Sequence, residues 1–115
     1  MHELSIAQSL LDIVLEEARK HGVRAVHTVA VKVGVFSGVV PSSLQFSFDL
    51  IKEGTLAAGA ELVVEKVPAL GRCQECGAGI DMSEPVLDCP LCGSEKVKLE
   101  PGAGQELYID HLEAD

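Results

Sequence analysis

Four cysteines stand in two closely spaced pairs that could hold one metal ion. They occur as Cys73-Gln-Glu-Cys76-Gly and Cys89-Pro-Leu-Cys92-Gly, with twelve residues between the pairs. A CxxC turn lets two sulfurs converge on one ion, and the glycine after each pair lets backbone amides approach the thiolates. Two such turns complete a tetrahedral site, which is typical of a structural zinc that supplies folding free energy to a small segment. We therefore predict a zinc site at these four cysteines.

Paired cysteines also occur in disulfides, redox motifs and iron centres. Two disulfides would require an oxidising compartment, which the sequence gives no reason to expect. A single redox-active CxxC would not need the second pair. Iron can be held by the same spacing and stays open as a minority alternative, but residues 69–100 contain no aromatic side chain to surround a redox centre.

The first three residues, Met1-His2-Glu3, offer a second set of metal donors. The α-amine of Met1, the amide nitrogen of His2 and its imidazole Nδ1 can chelate one ion, and the Glu3 carboxylate or the next amide can supply a fourth donor. Ni(II) and Cu(II) accept such tetragonal nitrogen and oxygen donors. The alternative is that these residues bind no metal, because a histidine at position 2 need not bind anything and Glu3 suits a helix N-terminus. The isolated histidines, expected to be structural or solvated, are His21, His27 and His111.

Composition excludes several classes of function. A chain of 115 residues is one domain, or one domain with a small insertion. The formal net charge of -9 argues against binding to nucleic acid or to an anionic membrane surface. No apolar run approaches the roughly 18 residues of a membrane span, and no basic region or cleavage site of a signal peptide is visible, so we expect a cytoplasmic protein. No Ser/His/Asp set and no phosphate-binding glycine loop is present, so we expect no enzyme activity.

Hydrophobic spacing predicts a helix over residues 4–21, directly after the N-terminal donors. Ser5 and Gln8 resemble a capping box, and Gly22 is a suitable stop. The predicted buried stripe comprises Leu4, Ile6, Ala7, Leu10, Leu11, Ile13, Val14 and Ala18.

The remaining pattern predicts a small α/β (α+β) domain. Strict alternation in VHTVAVKVGV predicts a strand, and Pro41 begins a second helix that buries Leu44, Phe48 and Ile51. AELVVEKVP and QELYIDHL are two further strands. We expect two helices packed on a three-stranded sheet, plus an inserted zinc-ribbon module. The predicted division is an α/β domain over 1–68, a zinc-ribbon domain over 69–100 and a final strand, 101–115, that returns to the first domain.

The combination of motifs resembles the HypA/HybF family, nickel metallochaperones that act in hydrogenase maturation. The resemblance covers essentially the whole chain. It is carried by MHELS, GVFSGVVPSSLQFSFDLIKEGT, AELVVEKVP, CQEC, CPLCG and GQELYIDHLE.

The resemblance implies a nickel site at the N-terminus, with His2 essential and Met1 and Glu3 as its neighbours, and a structural zinc at the cysteines. It implies transfer of Ni²⁺ to the large subunit of a hydrogenase, in concert with a nickel-inserting GTPase or ATPase, by a monomer or dimer; some relatives also serve urease. Residues 69–100 contain no histidine, so a nickel ligand that the zinc module supplies in some relatives is missing here. The alternative is a zinc-ribbon protein-interaction module without nickel transport.

Overall fold

A computed structural model describes residues 3–115, which form two helices and six short strands. The elements are α1 (Glu3–Lys20), β1 (Val26–Gly34), α2 (Pro41–Ile51), β2 (Glu61–Val67), β3 (Leu70–Cys73), β4 (Gly79–Asp81), β5 (Val97–Leu99) and β6 (Leu107–Ala114). The strands form two three-stranded sheets, ordered β2-β1-β6 and β4-β3-β5. Across the described residues, neither helix is both long and apolar enough to cross a membrane.

Helix α1 confirms the predicted helix but not its predicted start. It begins at Glu3, so Ser5 lies inside the helix and the predicted capping box is wrong. The amide of Gln8 instead donates from Nε2 to Oδ1 of Asp12, one turn ahead, at 2.9 Å. Gly22 does end the helix: its φ of 66° is left-handed, a conformation that glycine adopts without steric cost.

The buried face of α1 is narrower than the sequence pattern predicted. Leu4 and Ile13 are both 51% exposed, although their spacing placed them on the buried stripe. A helix has more apolar positions than its neighbours can cover when only one side packs against the protein. The residues that are buried are Ile6, Ala7, Leu10, Leu11, Val14 and Ala18.

The predicted alternation of β1 and the predicted start of α2 are both confirmed. Val29, Val31 and Val33 are buried, and the intervening side chains are only partly covered. Pro41 is in the first turn of α2, where its missing N–H costs no hydrogen bond. Helix α2 places Leu44 and Phe48 in the core with no exposed surface, whereas Ile51, which the pattern also predicted to be buried, is only partly buried.

The chain divides into two compact units. The α/β unit comprises the N-terminal part up to Lys32 together with Gly38–Glu65 and Tyr108–Asp115. The cysteine unit comprises Val33–Ser37 and Lys66–Leu107. Both helices belong to the α/β unit and all four cysteines to the cysteine unit, so Glu3 and the cysteines fall in different units.

The cysteine unit is built on the central strand β3. It pairs antiparallel with β4 and β5, so that Gly71 faces Ile80 on one side and Leu99 on the other. Its hydrophobic cluster comprises the buried residues Cys73, Ile80 and Cys89, with the partly buried Met82, Val86 and Val97 packed against it. A core of this size removes little apolar surface from water, so other interactions must hold the unit together.

Candidate metal centre

The four cysteine sulfurs of the cysteine unit converge on one point. Their Sγ atoms all lie within 4.8 Å of one another. The Sγ atoms of Cys73 and Cys92 are 3.5 Å apart, and those of Cys76 and Cys89 are 3.7 Å apart. Zn–S bonds of about 2.3 Å place the sulfurs of a tetrahedral site about 3.8 Å from one another. The cluster therefore fits a structural zinc site.

The first CxxC pair forms a tight turn at the end of β3. The backbone N–H groups of Glu75 and Cys76 both donate to the Cys73 sulfur, each at 3.4 Å. The N–H of Gly77 closes the turn on the Cys73 carbonyl at 3.0 Å. These donors point at an atom that carries negative charge when it binds a metal, so the turn is prepared for a thiolate.

The second pair repeats this turn. The N–H of Leu91 donates to the Cys89 sulfur at 3.4 Å, and the N–H of Gly93 donates to the Cys89 carbonyl at 2.8 Å. Cys73 and Cys89 are buried, whereas Cys76 and Cys92 are exposed. Each turn thus contributes one inner and one outer sulfur.

The glycine after each pair is required by the backbone conformation of the turn. Gly77 and Gly93 have φ angles of 78° and 77°, and a Cβ on either residue would meet no atom within 4 Å. Space for a side chain is therefore not the constraint. The constraint is the left-handed backbone, which costs a residue with a side chain about 1–2 kcal/mol.

The pKa values of the four thiols diverge because backbone N–H donors and neighbouring sulfurs act on them unequally. The N–H of Cys76 holds the pKa of Cys73 at about 6, and the N–H groups of Cys92 and Leu91 lower the pKa of Cys89. Although the N–H of Ser94 lowers the pKa of Cys92, the adjacent Cys73 sulfur and burial raise it overall to about 12. A divalent cation would remove this conflict because it stabilises all the thiolates together.

Arg72 supports the first turn, and the motif gave no indication of it. Its Nη1 donates to the Gly77 carbonyl at 2.7 Å, and its Nε donates to Oε1 of Glu100 at 2.9 Å. Arg72 therefore connects the glycine of the turn to a carboxylate 28 positions along the chain. The sequence shows that Arg72 lies directly before Cys73, but only the tertiary fold determines its two hydrogen-bond partners.

Of the predicted nickel donors, Glu3 is described, and Met1 and His2 lie outside the described residues. Glu3 is the first residue of α1 and is partly buried. Its Oε2 accepts a hydrogen bond from the N–H of Val40 at 3.4 Å. Val40 is the N-cap of α2 and makes no side-chain cap of its own, so Glu3 supplies an acceptor that this helix start lacks.

The three other histidines each face a carboxylate at the surface. His27 Nε2 is 2.8 Å from Oδ2 of Asp115, and His111 Nδ1 is 2.8 Å from Oδ2 of Asp110. His21 Nε2 is 3.5 Å from a carboxylate oxygen one turn earlier in α1. Within residues 3–115, the cysteine cluster is the one group of three or more His, Cys, Asp or Glu side chains placed to share a metal ion.

Comparison with known proteins identifies relatives over the full length of the chain. The model of a family described as "Hydrogenase/urease nickel incorporation, metallochaperone, hypA" matches residues 1–114. "Hydrogenase maturation factor HypA" of Caldanaerobacter subterraneus subsp. tengcongensis is 40% identical over 115 residues, which is all of both chains. The protein of the same name from Solidesulfovibrio magneticus is 42% identical over 118 aligned residues, again covering all of both chains.

Solved structures show the same fold. The solution structure of the Ni metallochaperone HypA from Helicobacter pylori is 25% identical and matches with a TM-score of 0.68, covering 99% of this chain and 97% of that one. A second solution structure of a HypA protein, also 25% identical, matches with a TM-score of 0.72 and covers 99% and 96% of the two chains. The likeness therefore extends through the segments that carry the cysteines and both helices.

Proposed function

This chain belongs to the HypA family of nickel metallochaperones that act in hydrogenase maturation, and from that premise we propose which of its residues carry the nickel. The proposed site consists of Met1, His2 and Glu3. The chain would bind Ni²⁺ there and release it to the large subunit of a hydrogenase.

The placement of Glu3 is the observation that supports this site. Glu3 begins an 18-residue helix, and its carboxylate is linked to the N–H of Val40 at the start of α2. The donors proposed at Met1 and His2 directly precede this anchored residue in the chain. A short chelate next to a rigid helix loses little conformational freedom on binding, which favours affinity without a buried site.

Proton competition would make this nickel site weaker in acid. The imidazole has to be deprotonated to bind, and its ordinary pKa is about 6.5. The α-amine also has to lose its proton. Nickel affinity should therefore fall steadily as the pH drops below about 7, as suits a carrier whose few donors can be displaced by a partner.

We also propose that Cys73, Cys76, Cys89 and Cys92 are the ligands of a structural zinc. We propose that the domain over 1–68 binds nickel and that residues 69–100 bind zinc. Residues 101–115 would return to the first domain. The sulfur spacing and the N–H donors around Cys73 and Cys89 support this assignment.

The family role implies contact with other maturation factors, and the charge of the chain indicates what their surfaces are like. A net charge of -9 suits docking to a basic surface. We propose that the partners are a nickel-inserting GTPase or ATPase and the hydrogenase large subunit, and that the chain acts in the cytoplasm as a carrier and not as an enzyme. The family match does not favour the alternative, an interaction module without nickel transport.

A nickel titration tests the N-terminal site. Zinc-loaded protein with its native N-terminus is compared with His2→Ala and with a protein extended by Gly-Ser before Met1. His27→Ala is the matched control, because it removes another exposed histidine of the same unit. The native and His27→Ala proteins should each bind one nickel ion per chain, and the other two should lose this binding. Equal binding by all four proteins would show that nickel does not use the N-terminus.

A further inference from the structure

Helix α2 exposes two large apolar side chains that its packing does not need. Phe46 is 65% exposed and Leu50 is 60% exposed, and their four-residue spacing places them on one face of the helix. The core-facing positions of the same helix are already filled by Leu44 and Phe48, which are fully buried. Exposure of a phenyl ring to water is unfavourable, and Phe46 is one of only three phenylalanines in a chain without tryptophan.

Two further large apolar side chains are exposed near the N-terminal ends of the two helices. Leu4 on α1 is 51% exposed, and Val40 directly before α2 is 50% exposed. We call Leu4, Val40, Phe46 and Leu50 the α2 docking face. A hollow of about 420 Å³ lies in this region, and its lining comprises Glu3, Leu4, Ser42, Ser43, Phe46 and Ser47. The small serines leave room beside the phenyl ring for a side chain from another molecule.

The charges bordering the α2 docking face are negative. Glu3 lines the hollow, and Glu53 is exposed three residues after Leu50. Lys52 does not offset these two charges, because its Nζ is paired with Oδ1 of Asp49 at 2.9 Å and donates to the Ala60 carbonyl at 2.8 Å. A partner with a basic rim would therefore be favoured. A second copy of this chain would bring another net charge of -9 and be repelled.

We propose that the α2 docking face receives the protein to which nickel is transferred, through an apolar side chain surrounded by lysines and arginines on that protein. The proposal rests on the nickel site proposed above. Glu3 is shared by the hollow and that site, so a protein seated in the hollow would place its own ligands next to the bound ion. Proximity of this kind lets new ligands replace the old ones before the ion is free in solution.

Binding of the hydrogenase large-subunit precursor to zinc-loaded, nickel-free protein tests the proposal. Phe46→Ala should raise the Kd at least about 30-fold, as expected for an aromatic residue at the centre of an interface, and Leu50→Ala should raise it less. Leu87→Ala is the matched control, because Leu87 is 86% exposed but lies in the cysteine unit; its Kd should stay within about twofold of the unmodified protein. Added salt should weaken binding, and Glu53→Gln should reduce that salt dependence.

Nickel binding separates this proposal from the one on which it rests. Phe46→Ala should bind nickel normally but dock poorly, whereas His2→Ala should dock normally but bind no nickel. An unchanged Kd for Phe46→Ala would overturn the proposed face. If Phe46→Ala weakens only the GTPase or ATPase complex, or only dissociates a dimer of this chain, the proposed occupant is wrong. Normal nickel binding by His2→Ala would contradict the N-terminal site and leave the docking result to stand separately.

Discussion

In the α/β unit, large hydrocarbon side chains such as Phe48, Leu44 and Val14 are completely buried, whereas two of the three buried residues in the cluster around Ile80 in the cysteine unit are cysteines. The first unit can be stabilised by removing apolar surface from water. In the cluster of the second unit Ile80 is the one buried hydrocarbon side chain, and its cysteines are placed to bind an ion. The comparison indicates that hydrophobic burial holds one unit and metal coordination the other.

Removing zinc should give the largest effect and should be confined to the cysteine unit. Structural zinc contributes on the order of 10–16 kcal/mol to small zinc-binding domains, which the cluster around Ile80 cannot replace. In Cys73→Ser, amide NMR signals from 66–107 should lose their dispersion while signals from α1 and α2 keep theirs. Gln74→Ser, a change at a non-ligand position of the same turn, should leave both sets unchanged. Retained dispersion of the 66–107 signals in Cys73→Ser would mean that zinc does not hold this unit.

The next largest effect should come from the core of the α/β unit. Phe48→Ala should lower the free energy of unfolding by about 3–5 kcal/mol, because it leaves a cavity where a fully buried ring was packed. Phe46→Ala removes the same type of side chain from an exposed position of the same helix. It should change the free energy of unfolding by less than about 0.5 kcal/mol. Urea unfolding followed by far-UV circular dichroism measures both. Similar losses in the two variants would contradict the assignment of the packed face of α2.

An added methyl group should weaken zinc binding at Gly77, which has a positive φ, but not at Gly79, which does not. Gly77→Ala forces a side chain into the left-handed conformation at φ 78°, at a cost of about 1–2 kcal/mol, so zinc affinity should fall roughly 5- to 30-fold. Gly79→Ala is the control, because Gly79 does not have a positive φ and has open space for a Cβ. Competition with a chelator measures both affinities. Equal losses would mean that the turn conformation does not limit zinc binding.

The smallest expected effect is electrostatic and lies on β6. A hydrogen bond from His111, aided by the charge of Lys32, lowers the pKa of Asp110 below its ordinary value of 3.8. A carboxylate whose pKa is lower in the folded state stabilises the fold above about pH 4, and this contribution is lost as the pH falls through the lowered pKa. Asp110→Asn should therefore melt slightly lower than the unmodified protein at pH 6, and the difference should vanish near pH 2. A constant difference at both pH values would show that the charge of Asp110 is not responsible.

Local patterns in the sequence predicted the elements well because they depend on backbone geometry alone. The alternating valines around Val31 can bury one face only as a strand, and Pro41 and Gly22 have backbone preferences that favour a helix start and a helix end. The capping box at Ser5 was wrong because the helix already begins at Glu3. The buried stripe was too wide at Leu4 because periodicity shows which positions share a face, and not how much of that face a neighbour covers.

By itself, the sequence determined that each CxxC turn brings two sulfurs together, since that spacing sets the local geometry of the turn. The tertiary structure brought the two pairs of sulfurs to one place. The sequence also determined the two helices and the strands β1, β2 and β6, whereas it did not predict β3, β4 and β5. Only the tertiary structure decided the strand orders β2-β1-β6 and β4-β3-β5, the contact of Glu3 with Val40 and the support of the first turn by Arg72. Interactions between distant residues depend on how the elements pack, because side-chain periodicity carries no information about which element lies opposite.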